Sequence, residues 1–147
     1  MDDLLRLVRT WIIYQKIGLM SKEEVVQQVD KKIVELAKPP GYLFSVSLSE
    51  SLNHIKELDL LEYPIDDSES TTVAQELLLR LEAREISYDA LGACAFHMMI
   101  LTSDEALVGA WAAVESTLHY VNIGEADLTE EVTEFVCLEL KKLASIE

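Results

Sequence analysis

Positive charge is what this sequence most conspicuously lacks. Residues 85–140 contain no lysine or arginine but eleven acidic residues, and the chain of 147 residues has a formal net charge of −15. Nucleic-acid phosphates and anionic membrane surfaces repel a chain of this charge. We therefore expect no nucleic-acid partner and no membrane partner.

Cysteine and long apolar runs are also scarce. The two cysteines, Cys94 and Cys137, lie 43 positions apart, and free cysteine is typical of proteins in the reducing cytoplasm. The apolar runs fall short of the ~20 residues that a membrane-spanning helix needs. The N-terminal MDDLLRLVRTW lacks the features of a secretory signal. Together these features predict a cytoplasmic protein with two buried thiols.

Motifs of known catalytic chemistry are missing too. The chain contains no glycine-rich phosphate loop, no serine elbow and no CxxC pair. It therefore predicts a protein that is not an enzyme, with no catalytic residue, no cofactor and no metal.

Apolar residues at helical spacing make up most of the chain, and no alternating strand pattern of useful length appears. A chain of this length is typically one domain and buries enough surface to fold without a metal or disulfide. The sequence predicts an all-α fold, in which residues 1–147 form a single globular bundle of about seven helices.

The helix boundaries are predicted from capping residues. Gly18 ends the first helix, Ser21 and Glu24 form a capping box on the second, and Pro39-Pro40-Gly41 ends it. Tyr42–Val46 is interpreted as a brief apolar link, for which an extended conformation is one possibility, and Ser47-Leu48-Ser49-Glu50 as a capping box that opens a third helix. The later helices are expected to begin at Thr71 or Thr72, at Ser87 or Asp89, at Ser103 and at Thr129, with Asn122 and Gly124 ending the sixth.

Residues 89–121 are predicted to form a buried helical hairpin around which the bundle is built. Ten of the twelve residues from Ala90 to Leu101 are apolar, and a helix that is apolar on every side is typical of a protein interior. Small residues, including Gly92 and Gly109, are expected to let the helix backbones approach closely. In the flanking helices, Leu7 and Phe135 are among the residues expected to face inward.

Acidic residues cluster in two segments, Glu57–Glu69 and Glu125–Glu139. Complementary charge speeds association between proteins and sets its specificity, so these segments predict a surface for a basic protein partner. The candidate partner-binding residues are Glu62, Asp66, Asp67, Glu69, Glu130, Glu131 and Glu134. An alternative is that the acids only keep the protein soluble.

Glu115, His119 and His97 are the candidates for a metal site or an enzyme. Glu115 and His119 are four residues apart on one helical face, and the hairpin is able to bring His97 near them. The competing interpretation is that His97 is a core histidine with a backbone partner, and that Glu115 and His119 are a solvated pair.

Residues 11–49 resemble the opening of the small helical immunity proteins of bacterial polymorphic-toxin systems. The resemblance consists of a helix that ends at glycine, a capping box, a Pro-Pro-x-Tyr turn and a Ser-Leu-Ser segment. It implies a cytoplasmic, non-enzymatic protein that binds and blocks a toxin domain. The alternatives are a structural or oligomeric helical protein, and a small metal-binding protein or enzyme that uses Glu115, His119 and His97.

Overall fold

The structure, a computed structural model, describes residues 3–49 and 65–145. These residues form α1 (Asp3–Ile17), α2 (Lys22–Glu35), α3 (Gly41–Leu48), α4 (Asp67–Glu82), α5 (Tyr88–Leu101), α6 (Glu105–Asn122) and α7 (Glu130–Ala144). The described ranges contain no β-strand, and Ile65 and Thr102 make one isolated backbone bridge. The predicted all-α fold is confirmed.

The chain divides into two compact units. Met1–Tyr63 contains α1 to α3, and Pro64–Glu147 contains α4 to α7. The prediction that residues 1–147 form one domain stays a prediction, and each unit is described by itself below.

In the first unit, one apolar face of each helix contributes to a small core. The buried residues are Val8 and Ile12 of α1, Val25 and Val29 of α2, and Leu43 and Val46 of α3. Gly18 adopts a φ of +92°, which an L side chain rarely tolerates, so the predicted end of α1 is confirmed. The predicted capping box is also present, since Ser21 Oγ accepts from the Glu24 amide at 3.1 Å and the Glu24 carboxylate accepts from the Ser21 amide.

The prediction for residues 42–49 was wrong. These residues belong to α3 and its C-terminal cap rather than to a link followed by a new helix. Ser47 is a residue within α3, and its hydroxyl donates to Asp30 Oδ1 of α2 at 2.6 Å. The predicted third helix beyond Ser49, like Glu50 of the predicted capping box, lies outside the described residues.

The second unit confirms Ser87 and Thr129 as helix caps but corrects two others. Each of these two hydroxyls accepts from the amide three residues later. Asp104, not Ser103, caps α6. The cap of α4 is Asp66, five residues before the predicted Thr71, because its carboxylate accepts the Glu69 amide at 2.8 Å and the Glu69 carboxylate accepts the Asp66 amide at 3.1 Å.

The α5–α6 pair is the most extensive helix contact in the second unit, and α7 packs against both α4 and α6. At Gly92, an added Cβ would lie 3.4 Å from Leu118 Cβ and 3.3 Å from Asn122 Nδ2. The predicted close approach is therefore present at Gly92. Gly109 is exposed, with open space around it, so the same expectation was wrong there.

A buried hydrogen bond joins α4 to α6. Trp111 and Ser70 are both fully buried, and the indole Nε1–H donates to Ser70 Oγ at 2.9 Å. A buried donor without a partner lowers the stability of the fold by about 1–3 kcal/mol. This bond therefore favours the orientation of α4 that places Ser70 against the indole.

The hairpin is not buried on every side, contrary to the prediction. Leu91, Cys94 and Met98 of α5 are buried, but Phe96 is 44% exposed and Ile100 is 61% exposed. The periodicity could not show this, because a helix that is apolar all round does not indicate which face meets the core. Leu7 and Phe135 were likewise predicted to face inward, and they are 37% and 40% exposed.

We expect Asp66→Ala to lower the free energy of unfolding by about 1 kcal/mol, because it removes the cap of α4. Asp67→Ala is the matched control, since this neighbouring exposed acid makes no capping bond in the described structure. Chemical denaturation followed by circular dichroism measures both. Equal stability of the two variants would contradict the capping role.

Candidate functional site

Among the residues that the structure describes, a group of exposed acids without ion pairs lies at the start of α7 and in the segment that precedes it. Its acidic residues are Glu125, Asp127, Glu130, Glu131 and Glu134, and all five are exposed. We call these five residues the acidic surface. It contains the second group of predicted partner-binding residues.

Local helix chemistry accounts for part of this arrangement. Thr129 caps α7, and Glu130 and Glu131 occupy its first turn. The free amides of a helix N-terminus favour negative charge, by about 0.3–1 kcal/mol for each acid. Glu125, Asp127 and Glu134 lie outside that first turn, so the dipole of α7 does not explain them.

The acidic surface differs from Glu76 and Glu139 of the same unit in how its charge is balanced. Arg80 pairs with Glu76 at 2.8 Å within α4, and Lys142 pairs with Glu139 at 3.2 Å near the end of α7. Within the ranges that the structure describes, none of the five acids forms an ion pair. Their field therefore extends into solvent and acts on anything that approaches this end of α7.

Large apolar side chains are exposed beside these acids. Phe135 is 40% exposed and Leu138 is 53% exposed. Glu131, Phe135 and Leu138 are four and three residues apart, which places them on one face of α7. Ile123 and Leu128, in the segment before α7, are also about half exposed. Aromatic and aliphatic residues in the middle of a surface with a polar rim are typical of protein–protein interfaces.

The first group of predicted partner-binding residues does not form a comparable surface. Glu62 lies outside the described residues. Asp66 and Glu69 cap α4, and Glu69 is only 3% exposed, so it is not an accessible surface acid as predicted. Asp67 is exposed in the first turn of α4. The D-x-x-E pattern of a capping box was present in the sequence here, but Asp66 and Glu69 were assigned to the acidic segment Glu57–Glu69 as partner-binding residues.

His97, Glu115 and His119 do come together, as the hairpin allows. They line one pocket of about 200 Å³ between α5 and α6, together with Gly92, Ala93, Phe96 and Asn122. His97 is exposed rather than a core residue, and its ring meets Phe96 edge-on with centroids 5.7 Å apart. The interpretation of His97 as a buried histidine was therefore wrong.

In the described part of the chain, no group of three or more histidine, cysteine, aspartate or glutamate residues is arranged to hold a metal ion. The three residues thus share a pocket without forming a coordination site in this structure. A metal-dependent or enzymatic role for them stays a prediction.

The thiol of Cys94 lies in the apolar interface of α5. Burial raises the pKa of Cys94 to about 11, and this effect outweighs the opposing influence of the Arg80 charge. The residue is 2% exposed, so both its protonation and its accessibility oppose reaction. Cys137 is only partly buried, in contrast to the predicted buried thiol.

Comparisons with protein-family models, with curated proteins and with solved structures found no match to this chain. The resemblance of residues 11–49 to immunity proteins therefore stays a prediction. Among the described helices, none combines the length and apolar character needed to cross a bilayer.

We expect Cys94 to resist thiol reagents in the native protein, because the thiolate is the reactive form and a pKa of about 11 leaves little of it near neutral pH. The measurement is the rate of labelling in a Cys137→Ser variant, native and denatured, with Cys94→Ser as the matched control that reports Cys137. Native labelling of Cys94 as fast as in denaturant would show that the thiol is accessible and ionised.

Proposed function

We propose that this protein is a non-enzymatic binding protein whose acidic surface masks or neutralises a basic protein partner, as immunity proteins do with toxin domains. The observation that carries the proposal is the acidic surface itself. Five exposed acids lie between Glu125 and Glu134 without ion pairs in the described structure, and Phe135 and Leu138, which follow them along α7, are also exposed.

Charge and apolar contact would have separate tasks in such a complex. The acids attract a basic partner from a distance and suppress encounters with acidic proteins. Phe135 and Leu138 supply apolar area that charge alone does not, and aromatic anchors in this position commonly dominate binding energy. The partner expected from this combination is a protein with lysine and arginine residues around an apolar centre.

The main alternative is a structural or oligomeric helical protein whose acids only confer solubility. A protein that needs only solubility gains nothing from placing acids around exposed apolar side chains, because apolar patches favour association. The pairing of the two on α7 therefore favours binding. The other alternative, a metal protein or enzyme that uses Glu115, His119 and His97, would draw support from their shared pocket.

The test is a triple variant, Glu130→Gln, Glu131→Gln and Glu134→Gln, measured against a basic protein captured from the source cell. We expect the association rate constant to fall by about 10-fold at low salt, the lower end of the range for electrostatic steering. Added salt should slow the parent more than the variant, because screening shortens the field to about 8 Å at physiological ionic strength. Stopped-flow kinetics over a salt series provide both measurements.

The matched control is the triple variant Glu82→Gln, Glu85→Gln and Asp89→Asn. It removes the same net charge from exposed acids elsewhere in the second unit, so it separates local attraction from net charge. If the control variant associates as slowly as the test variant, the slower association results from the change in net charge and not from the acidic surface. If no basic protein is captured, or if the test variant binds as fast as the parent, the acidic surface is only a solvated face.

A further inference from the structure

The pocket between α5 and α6 has the features of a small ligand site. Its volume is about 200 Å³, and side chains of both helices line it. On α6, Glu115, His119 and Asn122 are four and three residues apart, so they follow one face of the helix. On α5, Phe96 and His97 line the same pocket. Two helices of one compact unit therefore hold these five side chains together.

The polar side chains of this pocket lack partners within the protein. In the described part of the chain, the side chains of His97, Glu115 and His119 make no hydrogen bond and no ion pair, and the amide of Asn122 makes none either. Sites for small ligands typically combine apolar or aromatic walls with a few polar groups that fix the orientation of the ligand. This pocket contains both kinds of group.

The spacing of the polar groups suits a ligand of several atoms rather than a single ion. A transition metal needs its ligand atoms within about 2.0–2.3 Å of one point, and no group of three or more metal-binding residues is so arranged in the described residues. A polyatomic ligand instead bonds to each acceptor separately, at about 2.9 Å. Because the pocket is smaller than the roughly 300–1,000 Å³ of typical ligand sites, the ligand is small or is the end of a side chain.

The charge of the pocket favours a cation. Its lining includes the carboxylate of Glu115 and no lysine or arginine. His119 and Asn122 lie in the last turn of α6, which ends at Asn122. The free carbonyl groups of a helix C-terminus favour positive charge. An anion would find neither a base nor a favourable helix end here.

We propose that this pocket binds the guanidinium group of an arginine side chain from a protein or peptide ligand. Guanidinium is a planar cation with five N–H donors, and it stacks on aromatic rings. The Glu115 carboxylate, the Asn122 amide oxygen and the neutral imidazoles of the two histidines are acceptors for those donors. The exposed ring of Phe96 supplies an aromatic face.

The lining residues also separate this ligand from its nearest relatives. A lysine ammonium is a compact point charge with three donors, so it reaches fewer of the spaced acceptors than a planar guanidinium does. Free arginine carries a carboxylate, for which the pocket provides no base. The site does not rest on the acidic surface of α7, and either proposal is able to fail without the other.

The experiment is a titration of the ¹⁵N-labelled full chain with Nα-acetyl-arginine amide, followed by two-dimensional NMR. We expect saturable shifts of the amide signals of His97, Glu115 and His119. Glu115→Gln keeps the shape of the side chain and should raise the dissociation constant about 10-fold, because hydrogen bonds between charged groups are strong. Phe96→Leu should raise it a few-fold through loss of the aromatic face. Circular dichroism checks that both variants keep the helix content of the parent.

The matched control is Glu105→Gln, which removes the same charge from α6 outside the pocket. It should leave the dissociation constant unchanged. Nα-acetyl-lysine amide and free arginine are the matched ligands, and both should bind more weakly than Nα-acetyl-arginine amide.

Four results would overturn the proposal. The first is the absence of saturable shifts in the parent. The second is equal weakening by Glu115→Gln and Glu105→Gln, which would indicate attraction by net charge alone. The third is binding of the lysine compound or of free arginine as tight as that of the blocked arginine. The fourth is displacement of the arginine compound by equimolar zinc chloride, which would make the pocket a metal site.

Discussion

The hydrogen bond between Trp111 and Ser70 is the constraint on which the second unit depends. Trp111 is the largest fully buried side chain in the described structure, and its indole needs an acceptor wherever it is buried. Ser70 supplies that acceptor from α4. Because α6 also packs on α5 and α7, a shift of α4 would break the bond and disturb the packing of the whole unit.

Several helix ends were predictable from the sequence, because capping depends on residues that are close together in the chain. Gly18, Ser21, Ser87 and Thr129 act within a few residues of their own position. Gly18, Ser21 and Thr129 were predicted as helix ends from the local sequence, and Ser87 was one of two candidates, with Asp89. The hydrogen bond between Trp111 and Ser70 was not predictable. The two residues are 41 positions apart, and the sequence around Ser70 does not indicate that it contacts a buried indole. Helix α3 was missed because Pro39-Pro40-Gly41 was interpreted as the end of the second helix and the residues after it as a link, whereas Pro40 caps α3 and Gly41 is its first residue.

The candidate site shows the same division. The acids at the start of α7 were predicted from charge alone, and the structure places them on the surface. The acids near α4 are of the same residue types but have different roles. Glu69 is buried, and its carboxylate accepts a hydrogen bond from the amide of Asp66, the residue that caps α4. Sequence composition counts charges but does not tell a solvated carboxylate from one that completes a helix end. The exposed face of α5 was missed for a related reason. A helix with apolar residues on every side gives no indication of which side faces the core.

The hydrogen bond from Gln75 to the carbonyl oxygen of Ala144 joins residues 69 positions apart, and it is part of the contact between α4 and α7. By comparison, α5 and α6 are neighbours in the chain and meet through a short turn. Local pairs form at a lower entropic cost than distant ones. On this argument we expect the unit to assemble from the pair α5 and α6 outward, with the contact between α4 and α7 forming last. Because Ser70 of α4 also bonds buried Trp111, separation of α4 from α7 is expected to disturb the core of the unit as well as the contact at its end.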